Sequence, residues 1–403
     1  MNWAIIIMLI LFFFVIIGAS QFNKILNPVF IFNGVWFLCF LFLNLGLSSY
    51  YTNEINAIVG FFLFLIFIIF NLCFFLTYHY SLKKIKGFSI NLIKHKTKKK
   101  YIIRLFLIWL VLTLMETLYC RGFPLLWTLL GYAGSYATYG IPSIHGFINS
   151  LSWFILMVSF LYYLEYKDRQ ILNILIMINV IYILLLARQS IITEIIQLTV
   201  IYAFKRKIQY KKLLLIGLFT VIIFGLVGNS RTELNHLIIT SGMPIKNMLS
   251  FLSGFIWVYM YLMSPLANII SVMENFRNFS YGIASISNIL PTAIARMFHL
   301  SAPNTSNLLV NQTYNVSSSF LTPFVDFGFF GVVLFVSFLG FYGGSLYRRL
   351  NIKSRDDSVL CNYAVYIGIL ALTFFSNMLL SLPIITQFIY INILFKNYFK
   401  ISN

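Results

Sequence analysis

Five arginines stand apart from the other basic residues of this chain. Arg121, Arg188, Arg231, Arg277 and Arg296 lie in segments where Lys246 is the one lysine. A guanidinium is planar and permanently charged, and its fork of donors fits phosphate or carboxylate. Gathered on one anion, such groups would stabilise a departing phosphate without a metal. Paired singly with Glu54, Glu116, Glu194, Glu233 or Glu274, they would be structural, and the sequence leaves both readings open. Glu116 precedes Arg121 and the chain-breaking Gly140-Ile141-Pro142, after which comes His145. Carboxylate and imidazole are suitable proton acceptors for a hydroxyl nucleophile. Glu116 and His145 are therefore candidate bases, with Asp326 and His299 behind them.

Arg188 falls in the tight turn Leu186-Ala187-Arg188-Gln189-Ser190, at the expected start of a helix. Its cation and the free N–H groups of that helix start would converge on an anion. Glu194, one turn deeper, is the alternative partner for it. Tyr132, Tyr136 and Tyr139 offer hydroxyls on flat apolar faces, which suit sugar rings or a membrane interface. A polar tract follows later, with Asn304-Thr305, Asn311 to Asn315 and Ser317-Ser318-Ser319. Amides and hydroxyls at this density suit a carbohydrate, or an ordinary solvated loop. Asp326, in Phe324 to Gly331, opens an apolar segment, where a helix dipole favours a carboxylate.

The elements that must hold these residues are apolar helices. Of 403 residues, 60% are hydrophobic and only 10% are charged. The apolar residues come in blocks of roughly 17 to 22, the length that crosses a bilayer as helix. Backbone groups in lipid must bond within their own segment, which excludes open sheets. The expected fold is an all-α polytopic membrane protein, one transmembrane domain over residues 1–403. About eleven spans are expected, near 3–19, 28–48, 57–78, 101–118, 147–164, 171–187, 190–204, 213–228, 324–345, 358–380 and 382–396. The first block lacks a preceding Lys or Arg, so it is expected to be a retained span rather than a signal peptide.

The formal charge of +19 is distributed as topology, not as a nucleic-acid face. Basic residues crowd 79–100, 205–212 and 346–357, and these connections fall on one side of the expected spans. That side is expected to be cytoplasmic, with the N-terminus outside and the C-terminus inside. The five arginines then fall outside. Residues 229–323 form a large outer loop, within which 251–264 is expected to be a re-entrant or amphipathic helix stopped near Pro265. Cys39, Cys73, Cys120 and Cys361 form no CxxC pair and imply neither disulfides nor a metal site. Walker A, GxGxxG, HExxH and DxD patterns are all absent, so energy must come from a preactivated substrate or a gradient.

Several short motifs occur in a telling order: Glu116 with Pro124, Tyr139-Gly140-Ile141-Pro142 with His145-Gly146, Arg188-Gln189, Gly228 to Arg231, and Asp326-Phe327-Gly328 after a serine tract. In these features, from about residue 110 to 345, the chain resembles the bacterial oligosaccharide repeat-unit polymerases, the Wzy-type O-antigen and capsule polymerases. The resemblance implies a metal-independent, cofactor-free membrane glycosyltransferase with a GT-C-like fold in the bacterial cytoplasmic membrane. Its substrate would be an undecaprenyl-diphosphate-linked oligosaccharide, extended on the outer face. Its partners would include membrane lipid, a flippase and a chain-length regulator, with no nucleic acid. On that reading Glu116, His145 and Asp326 are catalytic, and Arg188, Arg231, Arg277 and Arg296 hold the diphosphate. Tyr139, Asn315 and Ser318 would contact the glycan. A flippase for the same lipid and an O-antigen ligase are the alternatives.

Overall fold

The computed structural model describes residues 2–22, 26–51, 54–80, 95–131, 138–206, 234–243, 253–310, 314–352 and 356–399, with helical positions 211, 215 and 217. Among these residues the chain is helical and forms no strand. Its helices are α1 (Trp3–Gln21), α2 (Pro28–Leu45), α3 (Ala57–Tyr80), α4 (His95–Tyr119), α5 (Pro124–Leu130), α6 (His145–Tyr166), α7 (Arg169–Leu184) and α8 (Arg188–Lys205). They continue with α9 (Leu234–Ser241), α10 (Ser253–Asn275), α11 (Ile283–Ile289), α12 (Thr292–Met297), α13 (Leu321–Ile352), α14 (Asp357–Ala371) and α15 (Leu382–Tyr390), which runs on as a π-helical stretch, Ile391–Phe399. The expected span 213–228 lies outside the described residues.

Seven described helices are long and apolar enough to cross a membrane, and three shorter apolar helices accompany them. Their outward faces are apolar too. Leu9, Phe12, Phe13 and Ile16 on α1, and Phe330, Leu334, Phe338 and Phe341 on α13, are exposed at helical spacing. Water would penalise such faces and lipid would not. The arrangement is compatible with a multi-pass membrane protein.

Small residues and amides hold the bundle together, because lipid supplies little hydrophobic drive between helices. Gly340 and Gly344 let α13 lie directly on α3: a Cβ at Gly340 would stand 2.5 Å from the Phe70 carbonyl oxygen. Asn33 and Asn71 exchange amide hydrogen bonds of 2.9 and 3.0 Å between α2 and α3. Gln197 and Gln387 do the same between α8 and α15, at 3.2 and 2.9 Å.

The two ends of the bundle differ in charge. At one end Lys99 meets Asp168 at 2.6 Å and Lys205 meets Asp357 at 2.5 Å. There too Arg206 donates to the Leu164 carbonyl and Arg348 to that of Tyr78. The Lys99 ammonium holds the Asp168 carboxyl below its ordinary value. Glu116, His145, Arg188 and the serine tract lie at the other end.

Helix α10 departs from expectation, because it runs through Pro265 to Asn275 instead of stopping. An internal proline costs about 3 kcal/mol. Buried Met263, Leu266, Ile269 and Ile270 flank it, and each such side chain contributes about 1.5–3 kcal/mol. By length and composition α10 could cross a membrane. Its neighbours lie at the site end throughout, however. Tyr259 packs against Phe42 near the end of α2, with ring centres 5.9 Å apart, and Glu274 accepts from the Asn56 N–H beside α3 at 3.1 Å. Buried Asn268 donates to the carbonyls of Tyr314 and Val316 and accepts from Val310 N–H, so it ties the polar tract down onto α10.

Candidate functional site

Glu116 occupies the last turn of α4 and is 1% exposed. One carboxylate oxygen accepts from the Ile141 N–H at 2.9 Å, and the other meets His145 Nδ1 at 3.0 Å. His145 opens α6, and its Nε2 lies 2.9 Å from the Asn149 amide nitrogen, one turn along. With Asn149 donating there, the imidazole carries its proton on Nδ1 and gives it to Glu116. The turn that makes this contact depends on Gly140. Its φ is 113°, and a Cβ would stand 2.7 Å from His145 Cγ. Tyr139 presents its ring edge-on to His145 with centres 5.7 Å apart, and its hydroxyl bonds Thr117 at 2.8 Å. Burial pushes the Tyr139 phenol up to about 12, against the opposing Thr117 bond, so this residue stays neutral.

His145, Asn149 and Trp153 recur every fourth residue and therefore share one face of α6. That face forms one wall of a cavity of about 710 Å³. The same cavity is lined by Ala187, Gln189 and Ser190 at the start of α8, Ser317 and Ser318 from the serine tract, and residues of the connection from Ser376 to Ser381. The cavity exists because its helices are short. Helices α7 and α14 have 16 and 15 residues. At 1.5 Å per residue they reach about 24 and 22 Å, less than the roughly 30 Å of a hydrocarbon core. Their ends therefore stop below the rim, and irregular backbone lines the recess, where it is tolerated. That backbone is well bonded: Ser319 N–H donates to Thr373 O at 2.7 Å, and the Asn377 amide donates to Ser319 O at 2.9 Å. No described lining residue is Asp, Glu, Lys or Arg, so the described wall mixes amides and hydroxyls with apolar side chains and offers no carboxylate, ammonium or guanidinium.

Arg188 is not itself a lining residue, although its chain neighbours Ala187, Gln189 and Ser190 are. Arg188 follows Ala187, which offers the first N–H groups of α8 no side-chain acceptor. Leu186, just before, has φ 53°, and Ser143, beside His145, has φ 74°. Left-handed backbone at non-glycine residues tends to collect at functional sites. Glu194, by contrast, accepts from Asn179 of α7 at 2.8 Å.

Other expected site residues are not drawn in. Arg277 donates to the carbonyls of Phe276 and Glu274 and lines a separate cavity with Asn56, Phe279 and Phe324. Arg296 is exposed on α12, although that helix docks beside the histidine turn through Ala293 N–H and the Ser143 hydroxyl, 2.7 Å apart. Arg231 lies outside the described residues. The described arginines thus do not converge on one cavity. Asn315 is exposed and lies off the cavity wall, while Tyr139 and Ser318 line it.

Asp326 has a different task from the one expected. It is fully buried and its carboxylate accepts from Ser280 Oγ at 2.6 Å, Gly282 N at 3.1 Å, Ala284 N at 2.9 Å, Ser285 N at 2.9 Å and also Ser285 Oγ. All of this capacity goes to the turn that starts α11. Helix α13 breaks here, at Phe327 and Gly328, and the carbonyls of Val325 and Asp326 are taken by the N–H groups of Ser280 and Tyr281. Asp326 therefore anchors the loop carrying α11, whose Asn288 reaches the cavity. Asp326 itself is not among the residues lining the cavity.

Trp153, Asn149 and Asn377 line the cavity but were not anticipated. The first two sit inside an expected span, and their period-four spacing from His145 is the signal that could have found them. Ser376-Asn377 is a polar pair within an expected apolar block, 358–380, that ends as helix at Ala371. Set beside known proteins, the chain matches no family model, no curated protein and no solved structure.

Proposed function

We propose that this protein polymerises undecaprenyl-diphosphate-linked oligosaccharide repeat units by glycosyl transfer on the outer face of the bacterial cytoplasmic membrane. The observation that carries the reading is the pairing of buried Glu116 with His145, which lines a cavity rich in amides and hydroxyls, with Arg188 next in the chain to the lining residues Ala187 and Gln189. The lysine-rich end of the bundle is then cytoplasmic and the cavity faces outward.

In the proposed reaction a sugar hydroxyl of the acceptor unit displaces the Asn149 amide and meets His145 Nε2. The imidazole takes the hydroxyl proton as the oxygen attacks the anomeric carbon of the donor. The bond from that carbon to the diphosphate breaks, and the electron pair leaves on phosphate oxygen. Arg188 and the uncapped N–H groups of α8 receive the new negative charge. Glu116 lies behind the ring and stabilises the imidazolium, as an orienting carboxylate does. Exposed apolar faces supply a route for the polyprenyl tail through lipid. A GT-C-like relationship and a polymer chain-length regulator belong to the same proposal.

Incubation of the purified protein with lipid-linked repeat units, followed by gel separation, tests the reading. A ladder of multiples is expected. Intact single units after prolonged incubation would reject it. Transfer to a lipid A core acceptor alone would point to a ligase instead.

A further inference from the structure

We infer that the deep wall of the cavity is a sugar-reading subsite, in which Trp153 donates its indole N–H, and Ser317 and Ser376 their hydroxyls, to an uncharged saccharide ring beyond the reacting one. This rests on the glycosyl-transfer reading of the same cavity and adds the chemistry of the sugar it accepts.

Trp153 is 4% exposed and Ser317 is 8% exposed, and both line the cavity. Trp153 Nε1, Ser317 Oγ and Ser376 Oγ are shielded from solvent and have no hydrogen-bond partner among the described residues. Buried donors are nearly always paired, and an unmade bond is costly. Three such groups on one cavity form a set awaiting acceptors from a ligand.

Their position fits a second ring. Trp153 is eight residues beyond His145 on the same helix face. At 1.5 Å per residue its backbone sits about 12 Å along the helix axis from that of His145. A sugar reacting at His145 would extend its next ring toward Trp153. An indole N–H can only donate, so its partner is an oxygen acceptor: a hydroxyl, a ring oxygen or an acyl carbonyl. A carboxylate would also accept. However, the described lining residues offer it no cation, and burying an uncompensated charge is strongly disfavoured.

The full chain in lipid nanodiscs, titrated by saturation-transfer NMR, tests this. The probes are two neutral trisaccharides, chitotriose and maltotriose, and one anionic one, trigalacturonic acid. At least one neutral probe should bind, and the anionic probe at least about 10-fold more weakly. Trp153→Phe keeps the ring and removes only the donor. It should weaken neutral binding about 3- to 10-fold, as should Ser317→Ala. In the polymerisation assay both variants should raise KM with kcat little changed. Wild-type affinity in both variants, anionic binding as tight as neutral, or no neutral binding at all would overturn the subsite. Neutral binding that depends on Trp153, with no ladder formed by wild-type protein, would keep the subsite and reject the polymerase. A ladder with unaltered KM in both variants would do the reverse.

Discussion

Replacing Glu116 by Gln tests the proposed chemistry most sharply, because it exchanges one carboxylate oxygen for an amide NH2 at almost unchanged volume. In the wild type, Oε1 holds the Ile141 N–H at 2.9 Å and Oε2 meets His145 Nδ1 at 3.0 Å. A glutamine keeps the first bond through its carbonyl oxygen. Its NH2 group then faces Nδ1, so the ring must become an acceptor there and carry its proton on Nε2. The nitrogen at the cavity would turn from acceptor into donor, and the base would be lost. General-base catalysis contributes about 10²–10⁴-fold, so elongation should slow by that factor. Removing a charge-assisted bond from a buried group should also cost about 1.5–3 kcal/mol of stability. The assay is the initial rate of ladder formation in nanodiscs, with thermal unfolding followed in parallel. His145→Gln should show a similar loss. The double variant should be hardly slower than either single one, since the two residues act as a unit. A near-wild-type rate in Glu116→Gln, in protein that retains its fold, would refute the argument. So would a double variant whose losses multiply.

The arginines should separate by position. Arg188→Ala should lower elongation about 10²–10³-fold, the value of one lost anion-stabilising donor. Arg277→Ala, on a different cavity, should leave the ladder nearly unchanged, and equal losses in the two would contradict the assignment. Asp326→Asn should destabilise the loop starting α11 by about 3 kcal/mol, since a buried five-donor anchor loses its charge. Limited proteolysis within 279–300 should then accelerate, and unchanged cleavage would argue against the anchor. At the lysine-rich end, Asp168 has a lowered carboxyl pKa through Lys99. Its contribution is present above the ordinary carboxylate range and is lost as pH falls through the lowered value. It should be no more than about 1 kcal/mol for so accessible a pair. Asp168→Asn should flatten the acid limb of the stability profile there, and an identical limb would dismiss the pair.

Sequence alone determined the helical class, the apolar spans and the gathering of charge at one end. These follow from local chemistry: a run of apolar residues in lipid has helix as its one self-satisfying form, whatever else the chain does. Expected spans such as 3–19, 57–78 and 147–164 match α1, α3 and α6 within a few residues for that reason. The Glu116 and His145 pairing was legible as candidates, because a carboxylate at a helix end and a histidine after a Gly-Ile-Pro break had to lie near one end of the bundle.

Tertiary structure alone decided which polar groups meet. Asp326 stood behind His145 as a candidate base, and the structure separates them further: one is saturated by five donors from a loop some forty residues earlier in the chain, and the other faces a cavity. Arg188 and Arg277 were equal by charge, yet Arg188 is flanked by lining residues of the His145 cavity and Arg277 lines another. The end of α14 at Ala371 could not be read from hydropathy, because Leu372 to Phe375 are as apolar as the helix before them. Ser319 N–H and the Asn377 amide bond across the recess and hold that stretch out of helical form. Hydropathy measures the transfer of a residue to lipid, whereas those bonds depend on partners far away in the chain.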